Sequence, residues 1–300
     1  MIAVIFFSLK TARIRSSVNT VIVTGASGFI GRALVVRLKS LGFKVVEFNH
    51  SDGDIADPTL FSALPEASHV IHLAGRHFVP DSWSEPLDFL RVNLLGTQNV
   101  IDHCLRHGSK LIFSSAYLYG VPDCNPVAED HPVTSNNPYA LSKYFGEQLI
   151  EFFCDYKGLN AIALRFFNVY GDGQNIEYLI PSILSQVAAG HDIKVNNLLP
   201  SRDYVYIEDV VTSIILAMEP SHKFRVLNIG SGTSYSVEEL IDIIKKVTES
   251  DAKVISREQY RENEVMDVVA DTRSAQEILD WTPKYTLEQG LRDIWSKRNS

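Results

Sequence analysis

A chain of 300 residues with 45% apolar composition can bury a sizeable core, which excludes a disordered or fibrous protein. Its 36 acidic and 28 basic residues give a formal charge of -8, and no Lys/Arg cluster with interleaved aromatics occurs, which argues against nucleic acid as a partner. The three cysteines, Cys104, Cys124 and Cys154, are far apart and share no metal-ligand spacing with a histidine; they fit a reducing, cytoplasmic compartment and no metal site.

Residues 1–19 hold an apolar run, Ile2 to Phe7, too short to span a bilayer and followed, not preceded, by positive charges. We expect this stretch to be a tail or a misassigned start, with no membrane role. The regular pattern begins with "VIVTG", a β-branched run ending in glycine, then helical spacing from Phe29 to Leu41 and a second strand in "GFKVVEF". Further strands are expected at "HVIHLAG", "KLIFSS" and "NAIALRF", with helices across "DFLRVNLLGTQNVIDHCLRHG" and from Tyr139 to Lys157. Strands alternating with helices predict an α/β fold, a mostly parallel sheet covered on both faces, over residues 20–171. Beyond Gly171 the text is turn-rich, then mixed, with helices at "SVEELIDIIKKV" and "DTRSAQEIL"; it predicts a smaller α/β lobe over 172–300. The stretches "SRDYVYIEDVVTSIILAM" and "RVLNIG", about residues 205–230, are candidates to return to the first sheet.

Three places in this frame carry chemistry. "TGASGFIG" puts Gly25, Gly28 and Gly31 between the first strand and the first helix, with Ser27, Phe29 and Ile30 filling the turn. Glycines there permit a tight turn, bring backbone amides to a pyrophosphate and let the positive helix end face it. The end of the second strand, where an acidic residue would hold the adenosine ribose, is Asn49. Asparagine can bond a ribose hydroxyl without repelling a 2'-phosphate, so NAD and NADP both stay open, with NAD favoured. Asp54, with Ile55 beside it, is a candidate for the adenine side.

In "NPYALSKYFGEQLI", Tyr139 and Lys143 lie one helical turn apart on the same side. A lysine ammonium there is expected to lower the phenol's pKa and make its oxygen a proton acceptor for hydride transfer from a carbinol. Ser115, in "LIFSSAYLYG", falls at the carboxyl edge of a strand, where its hydroxyl can hold the substrate oxygen.

With these residues in place, the chain resembles the extended short-chain dehydrogenase/reductase family, in particular its nucleotide-sugar epimerases and reductases, over residues 20–295. "TGASGFIG", "HLAG", "VNLLGT", "SSAYLYG", "NPYALSK", "LRFFNVYG" and "RDYVYIEDV" stand in the family's order and spacing. The resemblance implies a Rossmann-type sheet, with Ser115, Tyr139 and Lys143 as the catalytic group and Lys143 also on the nicotinamide ribose. It further implies Leu73, Ala74 and Gly75 as the wall beside the cofactor, with Asn93 near it. Asn168, Arg202 and Arg261 would bind the diphosphate of the sugar nucleotide, a task suited to guanidinium forks.

Family dehydratases carry an acidic residue after the catalytic Ser or Thr; here Ala116 and Tyr117 follow, which disfavours dehydration. "HLAGRHFVPDSWSEPLDFLRVNLLGT" is similar to the stretch found in 4-epimerases, and the expected reaction is C4 epimerisation of a nucleotide-diphosphate hexose. The alternative is a 4-ketoreductase of an NDP-4-keto-6-deoxyhexose using NADPH, favoured by Asn49. The resemblance also implies a homodimer through the helices after "VNLLGT" and around Tyr139.

Overall fold

The computed structural model describes residues 19–219, 223–259 and 264–298. The first strand, β1 (Thr20–Thr24), turns Val21 and Val23 to one face and Ile22 to the other, all fully buried. This is the two-residue period of a strand covered on both sides. Helix α1 (Phe29–Ser40) follows and buries Gly31, Leu34, Val35 and Leu38, an i, i+3, i+4, i+7 stripe. Next come β2 (Lys44–Phe48), α2 (Pro58–Ser62) and β3 (His69–His72).

Residues 88–108, expected as one regular helix, instead fall in α4 (Pro86–Leu90), a π-helical turn (Arg91–Leu95) and α5 (Gly96–His107), with the short α3 (Val79–Ser84) before them. The wide turn buries Asn93, whose side-chain amide is used by the loop after β3. Such turns are common where a side chain must be re-aimed. Strand β4 (Lys110–Ala116), α6 (Pro138–Lys157) and β5 (Ala161–Phe166) complete the first part. The second part comprises β6 (Asn168–Tyr170), α7 (Leu179–Ala188), β7 (Ile193–Val195), β8 (Ser201–Tyr206), α8 (Ile207–Leu216), β9 (Arg225–Ile229), β10 (Ser234–Ser236), α9 (Val237–Thr248), β11 (Val254–Ser256), α10 (Arg273–Leu279) and α11 (Leu287–Arg298).

The main sheet has six parallel strands in the order β2-β1-β3-β4-β5-β9. One face is covered by α1 and α8 and the other by α2, α5 and α6, in two apolar clusters. The first cluster runs without a break into Ile183, Leu240, Ile244 and Leu291, so the second lobe shares its core with the sheet.

Of the segments weighed as returning to this sheet, "RVLNIG" does so as β9 beside β5, and α8 packs against α1. "SRDYVY" does not. As β8 it pairs with β6 and β10, because β9 fills the edge next to β5, and because its buried Asp203 carboxylate takes four hydrogen bonds there. The donors are Ser231 N (2.6 Å), Ser231 Oγ (2.7 Å), Gly232 N (2.9 Å) and Ala270 N (3.0 Å). Among the described residues, no helix is long and apolar enough to cross a membrane.

Candidate active site

The strand order reverses between β1 and β3, so the loops leaving their carboxyl ends diverge and open a crevice. The loop after β1 is the glycine turn. Gly25 has φ +69, and a Cβ on it would stand 2.8 Å from the Ala74 amide nitrogen; a Cβ on Gly31 would stand 2.2 Å from the Gly25 carbonyl oxygen. Gly28 caps α1 with no side chain over the first-turn amides, and Phe29 and Ile30 follow in that turn. A backbone cradle that side chains would fill, set at a helix N-terminus, fits the pyrophosphate of a dinucleotide.

Asn49 braces this cradle, its Oδ1 accepting from Ser27 N at 2.6 Å, while Arg32 Nη1 donates to Ser27 O at 2.9 Å. Asp54 is already engaged: it accepts from Ala56 N at 3.0 Å and from Arg91 Nη1 at 2.5 Å, contacts that hold its carboxyl below the usual range. Ile55 is buried and packs where Gly96 leaves room. Across the crevice, Leu73, Ala74 and Gly75 leave β3, with Ala74 N donating to Thr24 Oγ1 at 3.1 Å. Asn93 sits directly behind Gly75, where a Cβ would come within 2.8 Å of its Oδ1. Its polar atoms serve the protein: Oδ1 accepts from Arg76 N, and Nδ2 donates to Arg76 O and Ser142 Oγ.

The catalytic candidates come from β4 and α6. Asn137 caps α6, its Oδ1 accepting from Ala140 N at 2.8 Å, and Pro138 sets the first turn, so the helix starts one residue ahead of Tyr139. Gly146 lets α6 approach β4 closely, since a Cβ there would lie 2.9 Å from the Phe113 ring. Lys143 is thereby laid over that ring at 4.8 Å, and its Nζ donates to Ser114 O at 2.8 Å. Ser115, the next residue, is 2% exposed, and its Oγ has no hydrogen-bond partner. Buried hydroxyls are nearly always bonded, which makes this unpartnered one a candidate to bond a molecule in the crevice.

The electrostatics differ from the expectation. Burial, with the Tyr178 phenol adding to it, pushes the Tyr139 pKa up and not down. Burial dominates at the phenol, while the Lys143 ammonium donates to Ser114 O. Burial also pulls Lys143 down to about 8, against the opposing charge of Glu147.

Among the substrate candidates, Asn168 opens β6 and donates through Nδ2 to Asp203 O at 3.2 Å. Arg202 is held inside the lobe, bonding Ser201 O at 2.9 Å, Val265 O, and the Glu264 carboxylate at 3.3 Å. Arg261 lies outside the described residues.

Several residues of the site escaped sequence reasoning. Phe78 and Tyr178 meet edge to face at 6.2 Å, joining the loop after β3 to the start of α7, and Phe89 meets Tyr139 at 6.5 Å. His72 bridges Thr24 Oγ1 (2.8 Å) and Thr97 Oγ1 (3.2 Å) under the crevice, where burial, then Lys143, lowers its pKa to about 3. Each pair is distant in sequence; the one local trace was the histidine of "HLAG".

Comparisons with known proteins agree with this arrangement. Residues 21–230 match the family described as the NAD dependent epimerase/dehydratase family. Human UDP-glucose 4-epimerase is 31% identical over 335 residues, covering 92% of this chain and 95% of the human protein. The UDP-glucose 4-epimerase of Thermotoga maritima, solved with UDP-glucose, superimposes with a TM-score of 0.86 at 28% identity, covering 94% of this chain and all of that one. MoeE5, solved with UDP-glucuronic acid and NAD, gives a TM-score of 0.86 at 29% identity and the same coverage. The six-stranded parallel sheet, the glycine cradle and these likenesses lead to one conclusion: the chain is an enzyme that uses NAD and belongs to the NAD dependent epimerase/dehydratase family.

Proposed function

We propose that the protein epimerises C4 of a nucleotide-diphosphate hexose of the UDP-glucose/galactose type through a transient 4-keto sugar. The observation that carries the reading is the buried Ser115 hydroxyl, orphaned next to the residue that anchors Lys143. Bound NAD supplies a hydride acceptor, and later donor, for C4. Ser115 Oγ donates to the C4 oxygen in both half-reactions, and Tyr139 exchanges the proton of that oxygen. In the free protein Tyr139 is held protonated, the form that returns a proton to the 4-keto oxygen. Acceptance of the sugar's proton needs a cation at the phenol, a role for Lys143 one turn away on α6. Tyr178, which meets Phe78 edge to face, lies near enough to Tyr139 to add to its raised pKa, and its ring is the proposed shield against water there.

Asn168, Arg202 and Arg261 are the proposed diphosphate ligands, and Arg202 would exchange Glu264 for phosphate oxygens. Glycine-cradle residues with Asn49 and Ile55 hold the adenosine side. Asp54, which accepts from Arg91 and Ala56 N, is the proposed adenine-side contact beside Ile55. A homodimer is supported by an exposed apolar stripe on α6, Leu141, Phe145, Phe152 and Tyr156, at spacings of one turn or two. A cytoplasmic site is in keeping with the three free cysteines.

The second reading, an NADPH-dependent 4-ketoreductase, is favoured by one observation: Asn49 follows the second strand, without a carboxylate to exclude a 2'-phosphate. Mass spectrometry of nucleotides released on denaturation, followed by incubation with UDP-galactose, separates the two. Retained NAD and formation of UDP-glucose without added cofactor support the epimerase. An empty protein that prefers NADPH and leaves UDP-galactose unchanged overturns it.

A further inference from the structure

One turn beyond Lys143, helix α6 carries a second buried charge. Glu147 is 1% exposed and its partner Arg165 on β5 is 4% exposed. Arg165 Nε donates to Glu147 Oε1 at 2.9 Å and Nη2 to Oε2 at 2.6 Å, a two-pronged fork. A buried ion pair gains little over apolar side chains of the same volume, so stability alone is a weak reason for its presence.

Its placement supplies a better one. Arg165 is the β5 residue in register with Ser115 on β4. Glu147 shares a helix side with Tyr139 and Lys143. The fork therefore ties the helix bearing two of the proposed catalytic groups to the strand position beside the third. The guanidinium is fixed in turn, lying 4.8 Å over the Tyr119 ring, whose hydroxyl donates to Asn228 Oδ1 at 2.7 Å.

We propose that Glu147 and Arg165 are a positioning pair: the fork sets α6 against β4 and β5, and its carboxylate keeps the Lys143 ammonium charged in a buried site. The proposal rests on the roles given above to Ser115, Tyr139 and Lys143. The other titratable groups around Lys143 are Tyr139 on its own helix, His72 on β3 and His77 in the loop after it, and neither histidine supplies an anion. Glu147 is the group that opposes the fall in the Lys143 pKa. Without it the amine loses its proton at lower pH.

The test uses the near-isosteric Glu147→Gln, which removes the carboxylate's charge alone, and the conservative Glu147→Asp, which keeps the charge but shortens the fork and should restore the Lys143 midpoint. The Lys143 titration is read by NMR of protein labelled with [ε-13C]lysine, its resonance assigned by its loss in Lys143→Arg. We expect a folded Glu147→Gln protein whose Lys143 midpoint falls by about one unit or more from its wild-type value. The alkaline limb of kcat against pH should move to lower pH by the same amount. At neutral pH the lost charge alone should lower kcat about 2-fold, with any further fall reporting lost alignment, while KM changes less than 3-fold. A Glu147→Gln protein whose midpoint stays at the wild-type value, whether active or inactive, overturns the proposal. If the wild-type protein does not turn over UDP-galactose, the epimerase reading fails, and the NMR titration still decides the role of the pair.

Discussion

Replacing Ser115 with alanine should move stability and activity in opposite directions. The hydroxyl is 2% exposed and has no partner, so the fold bears a desolvation cost of about 1–3 kcal/mol. Ser115→Ala removes that cost and forfeits the contacts of one small atom, worth under about 1 kcal/mol. The net is a gain of about 1 kcal/mol, a rise of about 2 °C in Tm for a chain of this size. The same hydroxyl is the proposed donor to the C4 oxygen, and loss of one such donor costs about 10²–10³ in kcat. Calorimetry at saturating NAD reads the first effect and conversion of UDP-galactose the second. A variant that is several degrees less stable would refute the reasoning, because Ser115 would then have a structural partner; one with unchanged kcat would remove it from the chemistry.

Other outcomes follow from the same geometry. Gly31→Ala places a methyl 2.2 Å from a backbone carbonyl that cannot turn away, so NAD affinity measured by calorimetry should fall at least about 10-fold, with about 1–3 kcal/mol lost in stability. His72 and His103 are buried, with pKa values lowered by burial to about 3 and about 4, below the ordinary 6.5. The unfolded chain binds their protons first as pH falls, so their contribution is complete above about 6.5 and is lost progressively towards 3, by on the order of 5 kcal/mol for His72 and 3 kcal/mol for His103. Both ring nitrogens of His103 lack partners, so His103→Leu should flatten the acid side of a stability–pH curve; an unchanged slope would contradict this. Removing the ring in Tyr178→Ala uncovers Tyr139 and should let the 4-keto sugar escape, seen as reduced nicotinamide absorbance building up during turnover. Wild-type levels of that absorbance would argue against a closing role.

Much of the first part was legible because its signals are local. The "TGASGFIG" turn, the Tyr139/Lys143 spacing and the end of β4 at Ser115 each depend on a few neighbouring residues and on the period of one element. What stayed hidden depends on distant partners. Lys143 was expected to face the phenol, but its long side chain is captured by the carbonyl of Ser114, which no helical spacing could reveal. Glu147 reads as an ordinary outer-face glutamate until β5 places Arg165 opposite it. Arg202 reads as a free fork until the chain near residue 264 returns to it. The π turn at Arg91–Leu95 was equally invisible, since its apolar spacing differs from an α-helix by a single residue.

The bracing of the glycine turn bears on how long the cofactor stays. Ser27 N is tied to Asn49, Gly28 N to the Gly25 carbonyl at 3.0 Å, and the Ser27 carbonyl to Arg32, so the turn has its shape before any dinucleotide arrives. Little chain entropy is then lost on binding, and no loop must melt for the bound molecule to be exchanged against solvent ions. Slow departure has to come from the contacts themselves, and the encounter is left nearly free of conformational delay. A turn built this way takes up its cofactor without a folding step, and any long retention must be set by contacts elsewhere along the dinucleotide.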